Sequence, residues 1–352
     1  MYRVGLIGCG YIANKHLQTI SQIDRAELVA ISDIEPIRMK EAVQKYTTLK
    51  PITSVKQYHD YIELLKNDTI DIVVITTGSN LHAKMAIQAL LHDKHVILEK
   101  PLALSLAEVK RIHELTKAKQ KQVIVCHQLR YRPIMRKIKE LITLGALGKL
   151  HFGTASMRVN RPTNYYTKSN WKGTWEKDGG MLINQGIHLV DLLTWFMGDV
   201  KSVYGDIANF SRVKQTEDMA AGIITFTNGS RGVIEANTIT QPNNLGYNLS
   251  IFGEEGTISI GGSNFNRLER CYMTNLTNVD KLQELINDQN EHVYMYENFM
   301  NVLENKEEQV LVDVQEASNS LMTIFGIYES YRLNKVVDLP LVFFSTKDMK
   351  EG

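Results

Sequence analysis

The sequence predicts an α/β domain with a doubly wound parallel sheet, followed by an α+β domain with a large, mostly antiparallel sheet. The first 125 or so residues alternate β-branched runs with helical patterns, the order that produces βαβ units. From about residue 150, strand patterns follow one another directly, which favours antiparallel pairing. Because 352 residues exceed what one small core usually organises, we predict two domains, residues 1–125 and 126–352.

The first domain contains five strand patterns: VGLIG, ELVAISD, DIVVITT, HVILEK and QVIVCH. Apolar residues recur at helical spacing over residues 11–23, 35–46, 56–66, 80–92 and 105–120. Ser105 followed by Glu108 predicts a capping box at the last of these helices. Ligands of a doubly wound sheet bind at the carboxyl ends of its strands, so functional residues are expected there.

The second domain begins with a predicted helix from Tyr131 to Leu144. Asn228-Gly229 predicts a hairpin turn between two of the strands that follow. Period-two alternation predicts strands over 150–160, 201–212, 217–227, 231–241 and 247–254, and helical spacing predicts helices at about 186–197, 281–305 and 313–332.

Composition excludes several classes of protein. Lys and Arg total 40 against 39 Asp and Glu, so there is no overall field to hold a nucleic acid. No leader pattern and no apolar run of membrane-spanning length is found, which argues against a membrane protein. Cys9, Cys126 and Cys271 are far apart and not at metal-ligand spacing, so neither disulfides nor a metal site are predicted, and a cytoplasmic location is expected.

A glycine-rich turn follows the first strand and opens the first helix. In the segment from Gly8 to Ala13, GCGYIA, Gly8 permits a tight turn and Gly10 allows the backbone to approach a pyrophosphate. The amide groups at the helix N-terminus attract phosphate. The pattern predicts a Rossmann dinucleotide site, with Tyr11 and Ile12 beside the cofactor.

Asp33 ends the second strand, 23 residues after Gly10. A carboxylate there accepts hydrogen bonds from the ribose hydroxyls and repels a 2′-phosphate, which favours NAD over NADP. Arg38 nearby leaves that preference short of strict. Asp33 is also placed to cap a helix starting near Glu35, and the two roles are compatible.

Glu99-Lys100-Pro101 closes the strand HVILEK and places Lys100 at the carboxyl edge of the sheet. A lysine ammonium there stabilises the charge that develops on the oxygen of a reacting alcohol. The alternative is a surface lysine before a turn.

The segment from Gly179 to Asp191 leads into a helix of the second domain. Asn184 and His188 are four residues apart and would share one helix face, where His188 is a candidate base. A structural histidine is the alternative. Asp191 fits an orienting or capping role.

These three motifs together resemble the Gfo/Idh/MocA family. The resemblance implies hydride transfer between a nicotinamide cofactor and a secondary alcohol carbon of a sugar or cyclitol, with Lys100 and His188 assisting proton transfer and Glu99 beside the cofactor. Many members carry aspartate where this chain has Asn184. A carboxamide cannot take a proton, so the base role shifts to His188, with Lys100 as the residue that would share it.

The Asn-Gln-Gly-Ile-His variant and the preceding Trp171 to Trp175 segment resemble members that oxidise the 3″-hydroxyl of UDP-N-acetylglucosaminuronic acid for bacterial surface polysaccharides. Arg158 suits a substrate carboxylate or diphosphate. The tryptophans would pack on sugar or nicotinamide, or fill the domain junction. The other expected substrate contacts are Tyr165, Thr174 and Gln185.

Further residues acquire roles from their positions after strands. Thr77, Asn80 and His82 would border the cofactor riboses, although a cap or packing role suits His82 equally. Gln128 would lie near the nicotinamide and Arg130 near the substrate.

Three functions are therefore weighed. The leading one is NAD-dependent oxidation of a nucleotide-linked uronic acid. The second is an inositol or free-sugar dehydrogenase, and the third is a non-catalytic dinucleotide sensor, which would not need Lys100 and His188 together. Apolar residues on both faces of the second domain's strands predict a homo-oligomer. The family resemblance favours a tetramer over a dimer.

Overall fold

A computed structural model of the protein describes residues 1–51, 54–168, 170–211, 213–274, 280–307 and 309–351. The chain divides into two compact units. The first comprises Met1–Gln128 and His292–Ala317, and the second comprises Leu129–Glu291 and Ser318–Gly352. None of the helices in the described ranges is long and apolar enough to span a membrane.

The first unit is built on a six-stranded parallel sheet in the order β3-β2-β1-β4-β5-β6. Every residue of β4 is buried, as expected for a parallel strand covered on both faces. The strands are β1 (Tyr2–Ile7), β2 (Ala26–Ser32), β3 (Lys56–Tyr58), β4 (Ile72–Ile75), β5 (His95–Leu98) and β6 (Val123–Val125). The predicted doubly wound α/β fold is confirmed.

The helices of this unit are α1 (Ala13–Gln22), α2 (Pro36–Leu49), α3 (Tyr61–Leu65), α4 (Ser79–Leu91) and α5 (Leu106–Lys119). The capping box at α5 is present: the N–H of Glu108 donates to Ser105 Oγ at 3.3 Å, and Ser105 Oγ and the Leu104 N–H both contact Glu108 Oε2. The prediction of a helix over 56–66 was wrong for the first turn, because residues 56–58 form strand β3 at the edge of the sheet.

The second unit contains an eight-stranded sheet in the order β13-β12-β11-β7-β10-β9-β8-β14. Its pairs are antiparallel except for β7 with β10, so the mostly antiparallel sheet is confirmed. The predicted turn at Asn228-Gly229 joins β9 to β10, with Gly229 at a φ of +88°. The strands are β7 (Leu150–Arg158), β8 (Val200–Ala208), β9 (Met219–Phe226), β10 (Arg231–Asn237), β11 (Gly246–Gly253), β12 (Gly256–Gly262), β13 (Arg267–Met273) and β14 (Val337–Asp338). The strand predicted over 201–212 ends at Ala208, and residue 212 lies outside the described residues.

The described residues beyond the first unit's sheet form six further α-helices: α6 (Pro133–Thr143), α7 (Thr163–Thr167), α8 (Ile187–Met197), α9 (Asp280–Leu285), α10 (Glu291–Leu303) and α11 (Val314–Leu333). The single domain predicted over 126–352 requires a correction, since residues 292–317 belong to the first unit. Tyr296 in α10 and Val312 after it contact residues of that unit: Tyr296 bonds to His16, and the N–H of Val125 donates to the carbonyl of Val312.

Candidate active site

The glycine turn after β1 has the shape that a dinucleotide site requires. Gly8 has a φ of +95°, and a Cβ there would lie 2.7 Å from Thr77 Cγ2, so a larger residue is excluded by both strain and contact. A Cβ on Gly10 would meet no atom within 4 Å. The glycine at position 10 is therefore not explained by packing, whereas the approach of a pyrophosphate to the backbone explains it. Tyr11 is almost fully exposed, and Ile12 directly precedes α1.

Asp33 links the glycine turn to the end of β2. Its Oδ2 accepts from the N–H of Cys9 at 2.7 Å, and its Oδ1 accepts from the N–H of Glu35 at 2.8 Å. The second bond is a local turn that leads into α2 rather than a cap of the helix itself. Burial, together with the Asp33 charge, raises the pKa of the Cys9 thiol to about 12, so Cys9 is not a thiolate.

His82 ties together two loops at the carboxyl edge of the parallel sheet. It lies in the first turn of α4, fully buried, with Nδ1 2.8 Å from the carbonyl oxygen of Pro101 and Nε2 3.0 Å from that of Thr77. Burial outweighs these carbonyls and lowers its pKa. This geometry gives His82 the packing role that the sequence left open. Asn80, in the same turn, is half-buried.

Glu99 is held by a buried hydrogen-bond chain. His16 Nε2 lies 3.0 Å from Glu99 Oε1, and His16 Nδ1 lies 2.7 Å from the Tyr296 hydroxyl. Burial acts to raise the pKa of Glu99, but the hydrogen bond from His16 and the charge of Lys100 outweigh it and bring the pKa to about 2. An ionised carboxylate only accepts, so Nε2 of His16 donates to Glu99, and Nδ1 forms the hydrogen bond with the Tyr296 hydroxyl.

Lys100 follows directly and is half-buried, and its backbone N–H donates to Glu99 Oε2 at 3.1 Å. The chain from Tyr296 to Glu99 thus fixes the backbone from which Lys100 projects. Cys126 Sγ lies within 4.8 Å of the ligand atoms of His16 and Glu99. Burial raises the pKa of the Cys126 thiol well above its usual range, which favours the protonated thiol.

Arg130 requires a correction. Its Nε and Nη2 each lie 2.8 Å from an oxygen of Asp191, and both side chains are about 1% exposed. A guanidinium held by two hydrogen bonds against a buried carboxylate has a structural role, which argues against the substrate contact expected of Arg130. Asp191 is accordingly an orienting residue within the second unit. Gln128 begins the short 3₁₀ turn that contains Arg130.

A π-helical turn, Leu182–Gly186, precedes α8 and carries Asn184 and Gln185. His188 is half-buried in the first turn of α8. Such widened turns are frequent at functional sites. The helix predicted from residue 186 is therefore preceded by a π-helical turn that begins at Leu182. His188 lies one turn after Asn184, as the sequence predicts.

Asn184 donates from Nδ2 to Asp178 Oδ1 at 2.5 Å. Asp178 is buried, and its Oδ2 accepts from the N–H of Gly173 at 2.7 Å. An aspartate at position 184 would place a second carboxylate against Asp178 instead of a donor, which is unfavourable in a buried setting. The amide is therefore the residue type that suits this position, and an amide cannot take a proton.

The segment that precedes the π-helical turn brings several expected substrate residues together. Gln185 Nε2 donates to the Tyr165 hydroxyl at 3.1 Å. Trp171 is half-buried, and its carbonyl accepts from Thr174 Oγ1 at 2.8 Å. Trp175, by contrast, is buried and packs edge-on against Tyr328 at 5.3 Å, so it belongs to the core of the second unit.

Arg158 also requires a correction. It pairs with Glu235 on the neighbouring strand β10, with Nη2 2.5 Å from Oε2. Residues of β7 that alternate with Arg158, such as Gly153, face α8: a Cβ at Gly153 would lie 2.8 Å from Leu193. Arg158 therefore lies on the sheet face opposite α8, away from His188, and does not fit a substrate contact.

Glu217 is a residue of this region that the sequence analysis did not identify. It is about 1% exposed, and its Oε1 accepts from the Leu182 N–H at 2.8 Å and from the Tyr328 hydroxyl at 2.6 Å. It thus anchors the start of the π-helical turn. Burial raises its pKa to about 7, against the lowering effect of these hydrogen bonds.

Glu217→Gln is expected to change the pH dependence of stability. The carboxyl titrates near 4.5 ordinarily and at about 7 in the folded protein, so between these values only the folded state keeps the proton. The free energy of unfolding therefore falls as pH rises from 4.5 to 7, by on the order of 3 kcal/mol. Urea unfolding at pH 5 and pH 8 should show this fall in the wild type and its absence in the variant. Parallel losses in both proteins would contradict the assignment.

The glycine turn, Asp33 and the carboxyl-edge lysine define a dinucleotide-dependent oxidoreductase, and comparison with known proteins agrees. Residues 2–127 match the oxidoreductase family model for an NAD-binding Rossmann fold, and residues 135–259 match the GFO/IDH/MocA C-terminal domain. The chain belongs to the Gfo/Idh/MocA family, and it is an NAD-dependent dehydrogenase of the sugar-oxidising type.

Two solved structures resemble the chain over nearly its whole length. The WlbA dehydrogenase from Chromobacterium violaceum, in complex with NADH and UDP-GlcNAcA, is 29% identical with a TM-score of 0.90, covering 97% of this chain and 96% of the other. The Bordetella pertussis WlbA, with the same ligands, is 31% identical with a TM-score of 0.87, covering 96% and 99%. Myo-inositol 2-dehydrogenase from Thermotoga maritima is 29% identical over 263 residues, covering 73% of this chain and 74% of the relative.

Proposed function

We propose that the protein oxidises the 3″-hydroxyl of UDP-N-acetylglucosaminuronic acid with NAD. The observation that carries the proposal is the similarity, over at least 96% of the chain, to two dehydrogenases bound to NADH and UDP-GlcNAcA. The Asn184-Gln185 turn and the aromatic segment before it support the same substrate class.

Each residue has a role that follows from its chemistry. The glycine turn and Asp33 hold the cofactor, which when bound supplies the acceptor for the hydrogen and two electrons that leave the alcohol carbon. His188 removes the hydroxyl proton, since an imidazole is the side chain best suited to exchange a proton near neutral pH. Lys100 donates a hydrogen bond to the same oxygen and stabilises its developing charge. Asn184, held by Asp178, orients the substrate.

A second candidate is an inositol or free-sugar dehydrogenase. The similarity to myo-inositol 2-dehydrogenase favours it, at 29% identity over about three quarters of the chain. Its substrate would need no nucleotide and no acidic group.

Isotope transfer separates the two candidates. Purified protein is incubated with NAD and UDP-GlcNAcA deuterated at ring carbon 3, and the NADH formed is analysed by mass spectrometry. Deuterated NADH is expected, together with thermal protection by the UDP-sugar. Unlabelled NADH would refute oxidation at that position, and turnover of myo-inositol or glucose without any response to the UDP-sugar would refute the proposal in favour of the second candidate.

We also propose the location, the oligomeric state and the biosynthetic role of the protein. We place the protein in the cytoplasm, as a homotetramer or homodimer, within the synthesis of a bacterial surface polysaccharide. The outer face of the eight-stranded sheet supports self-association, because it exposes Tyr204, Ile223, Phe252 and Tyr272. Light scattering of the purified protein measures the mass directly, and a monomer would contradict this part.

A further inference from the structure

The helix that carries His188 starts without a capping side chain of its own. The π-helical turn Leu182–Gly186 runs directly into α8, and the backbone at the junction is helical. The first N–H groups of a helix have no partner within it, so they need an acceptor from elsewhere. The preceding residues 179–181 are two glycines and a methionine, and these residue types have no side-chain oxygen that could cap a helix.

Glu217 supplies an acceptor from a distant part of the second unit. Its Oε1 accepts from the Leu182 N–H at 2.8 Å, 35 residues away along the chain, and so caps the first residue of the π-helical turn. The Tyr328 hydroxyl donates to the same oxygen at 2.6 Å and holds the carboxylate from α11. Gly180 leaves room for this contact, because a Cβ there would overlap the Tyr328 hydroxyl and lie 2.8 Å from Glu217 Oε2. The glycine and the tyrosine are therefore both fitted to a carboxylate at position 217.

The two residues before this glutamate support Asn184 through the loop that precedes the turn. The N–H groups of Gln215 and Thr216 donate to the Gly173 carbonyl at 2.8 and 3.2 Å. The Gly173 N–H in turn donates to Asp178, which accepts from Asn184. The glutamate and the two residues before it therefore hold both the start of the helix and the loop that binds Asn184.

We propose that Glu217 is a positioning residue for catalysis: by capping the helix that carries Asn184 and His188, it sets where the imidazole meets the substrate hydroxyl. The proposal rests on the proposed function for the role of His188. His188 lies within two helical turns of Leu182 in one continuous helix, so a shift at the capped end moves the imidazole with it. A misplacement of about 1 Å lowers the rate of a reaction by as much as about 100-fold.

The test measures kcat with UDP-GlcNAcA and NAD, and the Kd of UDP-GlcNAcA with NADH present, for three variants. Glu217→Ala should lower kcat by about 10- to 100-fold and change the Kd less than about threefold, because the displaced imidazole acts mainly in the transition state. Glu217→Gln keeps an oxygen that accepts from the Leu182 N–H, so its kcat should stay within about threefold of the wild type. Tyr328→Phe removes one hydroxyl and keeps the ring, and its kcat should fall by about 3- to 10-fold.

A double-mutant cycle with His188→Ala separates positioning from general support of the fold. If Glu217 acts through His188, then Glu217→Ala should lower kcat less than about threefold once the imidazole is removed. Asp218→Ala is the matched control, because Asp218 is an equally buried carboxylate that accepts from the Phe210 and Ser211 N–H groups after β8. Its kcat should equal that of the wild type. Urea unfolding gives the folded fraction of each variant.

Equal losses with and without the His188 imidazole would overturn the proposal, and Tyr328→Phe enters the same cycle if Glu217→Ala does not fold. Unchanged kcat in both of these variants would overturn it as well. If the wild type does not oxidise UDP-GlcNAcA, the proposed function fails separately, and the NMR shifts of the His188 ring, assigned by their absence in His188→Ala, replace kcat. Shifts that change in Glu217→Ala and not in Asp218→Ala then support the positioning role, and unchanged shifts refute it.

Discussion

Replacing Lys100 with alanine is expected to lower kcat by about 10²- to 10⁴-fold while leaving the Kd for NAD nearly unchanged. The reason is its position: Lys100 lies two residues after the end of β5, at the carboxyl edge of the parallel sheet, and its backbone is fixed by Glu99 through His16 and Tyr296. An ammonium held there stabilises charge that develops only during the reaction, and such an interaction affects kcat rather than cofactor binding.

Steady-state kinetics with saturating NAD measure kcat, and calorimetric titration with NAD measures the Kd for NAD. Lys110→Ala serves as the control, because Lys110 is an exposed lysine of α5 in the same unit. Its kcat should equal that of the wild type. Losses of similar size in kcat and in NAD affinity for Lys100→Ala would show that the lysine supports the cofactor site and has no role in the reaction.

The dinucleotide half of the site was predictable from sequence because its determinants are local or lie at fixed positions in a βαβ unit. Gly8 and Gly10 belong to one turn, and Asp33 directly follows the next strand, β2. Parallel strands bring their carboxyl ends to one edge, so position along the chain predicts position in space. The same logic placed Lys100 and Thr77 at that edge, where the structure finds them.

The structure argues against the two arginine predictions, and the reason is the opposite one. Arg130 and Arg158 were assigned to substrate because a guanidinium suits anionic groups, but each is paired with a carboxylate of the protein. Asp191 lies 61 residues from Arg130, and Glu235 lies 77 residues from Arg158. Nothing in the spacing along the chain reveals such a pairing, because it depends on strand order and on how a turn packs against a helix.

Glu217 was missed for a related reason. Its partners, Leu182 and Tyr328, lie 35 and 111 residues away, and Glu217 precedes β9 beside Asp218 with no local motif. The assignment of residues 292–317 to the first unit is a further case: amphipathic spacing predicts the helix there but not the unit against which it packs. A buried polar residue needs hydrogen-bond partners, and only the fold shows which polar residues are buried and which partners they have.

The second large effect is expected at His188. Asn184 cannot accept a proton, and its amide is committed to Asp178, so His188 is the remaining group of the π-helical turn and α8 suited to act as base. His188→Ala should lower kcat by about 10²- to 10⁴-fold with a small change in substrate Kd. In the wild type, kcat should fall on the acid side as the imidazole becomes protonated, and this acid limb should disappear in the variant.

Added imidazole provides the sharpest test of that role. His188→Ala leaves a space of the right shape, so imidazole in solution should restore part of kcat, in proportion to the concentration of its neutral form. His151→Ala removes an exposed histidine on β7 of the same unit and should neither lose activity nor respond to imidazole. If imidazole does not restore activity and the acid limb persists in His188→Ala, then His188 is structural and another group takes the proton. The candidate for that group is Lys100, which lies at the carboxyl edge of the parallel sheet.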